Sequence, residues 1–300
     1  MKKDFKQLAI IGPTASGKSD LAINIAQKID AYILSIDSLS IYKEINIVSA
    51  KPSKEELAKV KHFGIDEIYP NEHFSADTFI NLYKKVKQIC EHDAKNLVIV
   101  GGTSFYLKSL TEGLSKLPNI TQEIQKTATK ELQNLQKVYD KLLSIDAKYM
   151  QKISPSDRYR IEKAYLIFLA SQMSPSQWFE KNPPLSIIEN INIFNIEITR
   201  DILRQRIQQR TQKMLDIGLI DEVCRLESKY TRSPNAMGAI GIVEVLEYLD
   251  GKVTKEMMLS NISTHTAQLA KRQQTFNKTQ FKDVISAPLE NLEKIIINNR

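Results

Sequence analysis

Along the first hundred residues, unbroken apolar runs alternate with apolar positions at helical spacing. Leu8-Ala9-Ile10-Ile11 is a short run of strand character, and Leu21, Ala22, Ile25 and Ala26 then recur on one helix face. The same reading predicts a strand over 31–36 that ends at Asp37, helices over 53–61 and 74–89, and an apolar strand over 96–100. Alternation of this kind builds a parallel sheet with helices on both faces. Ligands of such sheets collect at the carboxyl ends of the strands. Three such ends stand out: residues 12–19, Asp37-Ser38 and Gly101-Gly102-Thr103.

Between 116 and 188 the texture changes. This stretch is rich in Lys, Gln, Leu and Tyr, keeps helical spacing and shows no strong strand. Pro118, Pro155, Pro175, Pro183 and Pro184 punctuate it, as expected of a helical insertion. Residues 192–199 alternate apolar and polar positions, so a strand returns to the sheet. Helices are expected over 201–215, 220–228, 240–249 and about 255–278. The division expected is a core of 1–115 plus 197–300 around an all-helical insertion at 116–196.

Residues 12–19 read GPTASGKS and fit the phosphate-loop pattern G-x-x-x-x-G-K-[ST], between a strand and a helix as the motif requires. The fold class expected is therefore α/β, a parallel sheet like that of P-loop NTPases. Backbone N–H groups of such a loop (Gly12, Thr14, Ala15, Ser16 and Gly17 here) cradle anions, and the helix N-terminus adds its dipole. Lys18 supplies a point charge to phosphate oxygens, and Ser19 offers a hydroxyl to Mg2+. The loop thus grips a diphosphate or triphosphate without saying what carries it. Many kinases and hydrolases place an acid at the end of a later strand to hold magnesium. Here that strand, NLVIV, ends in Gly101-Gly102-Thr103, and Asp37 is the carboxylate at a strand end. Such an aspartate commonly forms a turn or caps a helix. Beside a pyrophosphate it could also hold a metal or deprotonate a nucleophile, and residue type leaves these readings open. Arg206 and Arg210 share a helix face and suit pyrophosphate oxygens, or simply a solvated basic face. Lys271, Arg272, Gln273, Phe276 and Lys278 mix bases, an amide and an aromatic, a mixture that suits an RNA backbone with a stacked base.

Composition adds limits. Three hundred residues suffice for one large domain or two moderate ones, and 42% hydrophobic content supports a core. No apolar run nears membrane-spanning length, and the first residues lead straight into a strand, unlike a signal peptide. Cys90 and Cys224 lack metal-ligand spacing and are expected as packing residues of a cytoplasmic protein. A net charge of +7 permits a polyanionic partner without demanding one.

In their order, GPTASGKS (12–19), DSLSIY (37–42), AKP (50–52), HFGID (62–66), VGGTSFY (100–106), EGLS (112–115), RIQQR (206–210), MLDIGLIDEV (214–223) and LAKRQQT (269–275) resemble the bacterial tRNA dimethylallyltransferases. The resemblance covers nearly the whole chain. It implies transfer of a dimethylallyl group from dimethylallyl diphosphate to N6 of the adenosine immediately 3′ of the anticodon in tRNA, with pyrophosphate leaving. Under it, the loop with Lys18, Arg206, Arg210 and Mg2+ at Ser19 would hold the diphosphate. Asp37 matches the family's general base, and Thr103 a threonine near the reacting centre. Asp37, Ser38, Leu39, Ser40 and Tyr106 would contact the RNA, whose target base must flip out of its stack. The insertion would hold the anticodon stem-loop from one side, with Asp157 and Arg160 matching a family element and Lys163 standing where an arginine is usual. A monomer is expected. Rival readings are a prenyltransferase of free adenine nucleotides, a P-loop kinase of small molecules, and a non-catalytic RNA-binding protein.

Several residues depart from the family pattern. Ser156 replaces an asparagine, Leu166 a glutamate, and Ile242-Val243 a tyrosine and a basic residue. Ala267 replaces an arginine, Phe276 a tryptophan and Lys278 an arginine. All fall where tRNA contacts are expected, and none falls on the diphosphate residues. Two lost cations lower the log–log salt slope of tRNA binding by up to about two units. Filter binding across a salt series checks this, and an unusually steep slope contradicts it.

Overall fold

In the computed structural model, residues 5–299 are described. The chain begins β1 (Gln7–Ile11), α1 (Lys18–Ile29), β2 (Ala31–Ser35), α2 (Lys54–Lys59), β3 (His62–Phe63), α3 (Ala76–His92), β4 (Asn96–Gly101) and α4 (Ser104–Thr111). Five helices follow: α5 (Gln122–Glu131), α6 (Leu135–Ile145), α7 (Ala147–Met150), α8 (Arg158–Ser171) and α9 (Pro175–Lys181). Then come β5 (Asn192–Glu197), α10 (Arg200–Asp216), α11 (Leu219–Tyr230), α12 (Ile242–Leu249), α13 (Lys255–Gln280), β6 (Val284–Pro288) and α14 (Leu289–Asn298).

The six strands form one parallel sheet in the order β3-β2-β4-β1-β5-β6. β4 is buried at all six positions, because strands covered on both faces read as continuous apolar runs. Ile10, Ile33, Val98 and Phe194 pack with Leu21 and Ile25 of α1 and Leu292 and Ile296 of α14. Leu34, Leu97 and Ile99 alternate with these and face the other way, where α3 packs on β2 and β4. The three adjacent strands β2, β4 and β1 bring the three marked carboxyl ends side by side.

The chain divides into two units, Met1–Thr111 with Ile188–Arg300, and Glu112–Ile187. The second unit has its own core, including Leu132, Val138, Leu142, Ile161, Tyr165 and Leu166. Leu166 is 2% exposed, so its apolar side chain fits the core that it enters. Asp146 is buried and accepts from Tyr149 N at 3.1 Å and from Ser176 N and Oγ at 2.7 and 2.9 Å, joining α7 to α9.

Three expectations need correction. The insertion stops before 196, because β5 hydrogen-bonds between β1 and β6 and belongs to the sheet. β6 and α14 lie beyond the last predicted helix. Cys224 is exposed, whereas Cys90 packs as expected.

A separate cluster seats the loop residues Ile41, Ile45 and Val48 on Met214, Leu219, Val223, Ile242, Val245, Met258 and Ile262. Buried Glu222 anchors this loop by accepting from Asn46 N, Ile47 N and Val48 N at 2.9–3.0 Å. Leaving three such donors without an acceptor is costly. Glu222→Ala is expected to destabilise the protein by more than about 2 kcal/mol in urea unfolding, and Glu222→Gln by less, since its amide oxygen still accepts. A loss below about 0.5 kcal/mol for the alanine variant would mean that the loop is held by other contacts.

Candidate active site

The loop 12–17 bends because Ala15 (φ 63°) and Gly17 (φ 89°) are both left-handed. Alternating backbone handedness turns successive N–H groups toward one point, the geometry of an anion nest. Gly17 suits this left-handed backbone, and a Cβ there would also press on Leu289 Cδ2 at 2.8 Å, which would have to move. Ser16 Oγ is buried in the loop with no hydrogen-bond partner among the described residues. Lys18 is 9% exposed, and its Nζ donates to Pro13 O at 3.2 Å.

Asp37 begins a tight turn. Its Oδ1 accepts from Leu39 N at 2.9 Å and Ser40 N at 3.2 Å, while no hydrogen bond among the described residues ends on Oδ2. The turn-forming reading and a chemical one are thus compatible, one oxygen serving each. Thr103 Oγ1 accepts from Ser38 N at 3.2 Å and ties this turn to the end of β4. The approach needs Gly101, where a Cβ would lie 2.9 Å from Ile36 C and 3.0 Å from Asp37 N.

From α10, Arg206 Nη1 donates to Ser16 O at 3.1 Å and Arg210 Nη1 to Thr14 Oγ1 at 3.0 Å. Both arginines therefore brace the loop. Thr14, Lys18, Ser19, Asp37, Ser40 and Arg210 line a single cavity of about 70 Å³. Burial pushes the Lys18 ammonium down to about 8; Asp37 opposes the shift and Arg210 adds to it. Burial also lowers Arg210, against the pull of Asp37. The donors for a metal here are the Ser19 hydroxyl and the Asp37 carboxylate, and no cluster of three His, Cys, Asp or Glu exists among the described residues. Such a sparse oxygen set fits Mg2+, which draws most of its ligands from phosphate and water.

The other predicted residues divide. Lys271, Arg272 and Lys278 are exposed on α13, and Phe276 sits edge-on to Phe281. Asp157 caps α8 by accepting from Arg160 N at 3.1 Å, and Arg160 Nε lies 3.3 Å from its Oδ2. Lys163 Nζ rests 5.6 Å from the centre of the Tyr159 ring, itself 70% exposed. Three residues depart from an RNA-facing placement. Tyr106 is 9% exposed and stacks on Phe79 with centroids 4.9 Å apart. Leu39 packs into the cluster under the loop. Gln273 turns inward, its Oε1 accepting from Thr14 N at 2.8 Å, so the Thr14 amide expected in the anion cradle is already engaged.

Sequence reasoning left out Ser49, Ala50, Pro52 and His62, which line the same cavity. His62 Nδ1 lies 2.7 Å from Val60 O, and burial lowers its pKa. All four belong to or adjoin the AKP and HFGID motifs, which were the available signal. Lys51, between them, is pinned by Tyr42 O, Asn46 Oδ1 and Asp66 Oδ1 at 2.6–3.0 Å.

A loop of the phosphate-binding pattern, a half-free carboxylate and two arginines from α10 make this a P-loop α/β protein with a small polar cavity at the carboxyl ends of its strands. The IPP transferase family model matches residues 40–280, and the chain belongs to that family. The tRNA dimethylallyltransferase of Sulfurimonas denitrificans is 66% identical over 97% of this chain and 98% of its own length. That of Nautilia profundicola is 56% identical over 97% and 98%. The full-length tRNA isopentenylpyrophosphate transferase of Bacillus halodurans, 28% identical, superposes with a TM-score of 0.72 over 99% of this chain and 95% of that one. A eukaryotic dimethylallyltransferase acting on tRNA, 22% identical, shares the fold with a TM-score of 0.82 over 98% and 80%.

The lowered Lys18 pKa gives a pH prediction. Between about 8 and 10.5 the folded chain binds fewer protons here than the unfolded chain, so this group's penalty on stability shrinks as pH rises through that window. An anion in the cavity favours the charged amine. Inorganic pyrophosphate is therefore expected to bind more weakly as pH rises above about 8, and to bind with proton uptake there. Calorimetry in buffers of different ionisation enthalpy measures the uptake, and Lys18→Met subtracts the ligand's own protons. Equal uptake in both proteins would contradict the assignment.

Proposed function

We propose that this protein transfers the dimethylallyl group of dimethylallyl diphosphate to N6 of the adenosine immediately 3′ of the anticodon in tRNA. The products are N6-isopentenyladenosine and pyrophosphate. The observation that carries the reading is the single cavity shared by Lys18, Arg210 and Asp37. It suits a reaction in which an anion departs at one side and a proton is removed at the other.

The lone pair of N6 attacks C1 of the allyl group as the C1–O bond breaks, and its electron pair leaves on the diphosphate. Lys18, Arg210 and the loop amides hold the growing charge on that leaving group, and Arg206 keeps the loop shape through Ser16 O. Asp37 Oδ2 takes the N6 proton while Oδ1 stays fixed in its turn. Thr103 holds that turn in place through Ser38 N. Ser19 would hold Mg2+, which would supply charge neutralisation on the diphosphate. The anticodon loop is single-stranded, so its adenine can be swung out into the cavity. Exposed Lys271, Arg272 and Lys278 on α13 and Arg160 and Tyr159 on the helical unit suit RNA phosphates and bases. The tRNA substrate calls for a cytoplasmic enzyme, and a monomer is part of the proposal; no helix among the described residues is long and apolar enough to cross a membrane.

Three readings compete, of which a non-catalytic RNA-binding protein is disfavoured because Lys18, Ser19, Asp37 and Thr103 are all present. A kinase is disfavoured because β4 ends in Gly101-Gly102-Thr103 rather than an acid. Action on free adenine nucleotides is disfavoured because the similarity to tRNA-modifying relatives runs through the helical unit and α13.

Labelled dimethylallyl diphosphate incubated with unmodified tRNA or AMP tests the proposal. Label is expected in tRNA. Label in AMP alone, or ATP consumed with a phosphorylated product, overturns it. Asp37→Ala is expected to cut turnover by about 10²–10⁴-fold while pyrophosphate affinity stays within about three-fold. Loss of pyrophosphate binding instead would make Asp37 a metal ligand.

A further inference from the structure

The basic stretch 271–278 of α13 exposes Lys271, Arg272 and Lys278, but its Gln273 points the other way. Its Oε1 accepts from Thr14 N, and Arg210 holds the same Thr14 through Oγ1. The rest of the amide lies close to Gly102. A Cβ on that glycine would collide with Gln273 Nε2 and lie 3.3 Å from its Cδ. Gly102 precedes Thr103, which fixes the Asp37 turn through Ser38 N. One side chain thus touches both the loop that grips the phosphates and the strand end that orients the base.

The backing of this side chain is rigid. Ala270, one turn earlier, is fully buried against Leu203 and Ile207 of α10, with Ala15 of the loop packed on the same cluster. Gln274 Nε2 reaches Ile198 O at 3.4 Å. An uncharged amide is also the right chemistry for a spacer here. It can satisfy a backbone donor without competing for the diphosphate, as a lysine would, or repelling it, as a carboxylate would.

We infer that Gln273 is a positioning residue: it fixes the spacing between the phosphate loop and the Gly102-Thr103 turn, and position 102 is glycine in order to admit it. The inference rests on prenyl transfer as the reaction. That displacement needs the amine, C1 and the departing oxygen in line, and a misplacement of about 1 Å can cost about 10²-fold in rate. Binding of either substrate alone does not depend on the spacing.

The test uses Gln273→Met, which keeps the length and removes both polar atoms, and Gly102→Ala, which crowds the amide out. Both are compared with wild type in steady-state transfer to tRNA, with inorganic pyrophosphate titrated separately. Gln273→Met is expected to lower kcat by about 10–100-fold with both KM values and pyrophosphate affinity within about three-fold. Gly102→Ala, which leaves Gln273 itself unchanged, is expected to reproduce the defect. Combining Gly102→Ala with Gln273→Met is expected to match the worse single variant rather than multiply the losses. A raised KM for tRNA at unchanged kcat would make Gln273 an RNA contact and overturn the inference. Multiplicative losses would overturn it as well. If wild type transfers no label to tRNA, the prenyl reading itself fails; an active wild type with an unaffected Gln273→Met sinks the positioning role alone.

Discussion

A buried lysine and a half-buried arginine share one cavity with a single carboxylate. Lys18 and Arg210 both suffer from burial in the cavity, and both lean on Asp37. One negative charge among two positive ones leaves the cavity with a net positive charge, which suits an anionic ligand. The rest of the architecture serves to keep these three groups together. β2, β4 and β1 are neighbours in the sheet, so their ends deliver Asp37, Gly101-Gly102-Thr103 and the loop to one place. α10 then brings two arginines onto the loop from outside the sheet.

The same nest could serve nucleotide hydrolysis, phosphoryl transfer or diphosphate departure, and the neighbours decide among them. An acid at the end of β4 would provide a second metal partner, but glycines stand there. They let β4 approach the Asp37 turn and admit the Gln273 amide. Farther out, Glu222 and Lys51 shape the loop that carries Ser49, Ala50 and Pro52 into the cavity wall, so a carboxylate on α11 bears on the site without touching it.

Much of this was legible in the chain. The phosphate loop, the strand ending at Asp37 and the pair Arg206/Arg210 could be read because motif and periodicity agree locally. Other features depend on contacts between distant segments. β6 is five residues long with a half-exposed pattern, so it carries little strand signal until β5 pairs with it. α14 did have a readable signal, Leu289, Leu292 and Ile296 at helical spacing. Tyr106 within its motif and Gln273 beside exposed Lys271 and Arg272 look like RNA contacts; only the packing of α4 against α3, and of α13 against the loop, turns them inward. Residues of the AKP and HFGID motifs were visible as motifs, but their role as cavity wall and braces required the folded loop.

A structure determined with inorganic pyrophosphate bound tests the central claim most directly. The account requires the anion in the nest of residues 15–19, within hydrogen-bond reach of Lys18 Nζ and Arg210, with Asp37 Oδ2 open to the cavity beside it. Pyrophosphate seated instead in the groove of about 580 Å³ between α10 and α13, at Arg200, Arg204 and Lys271, would contradict it.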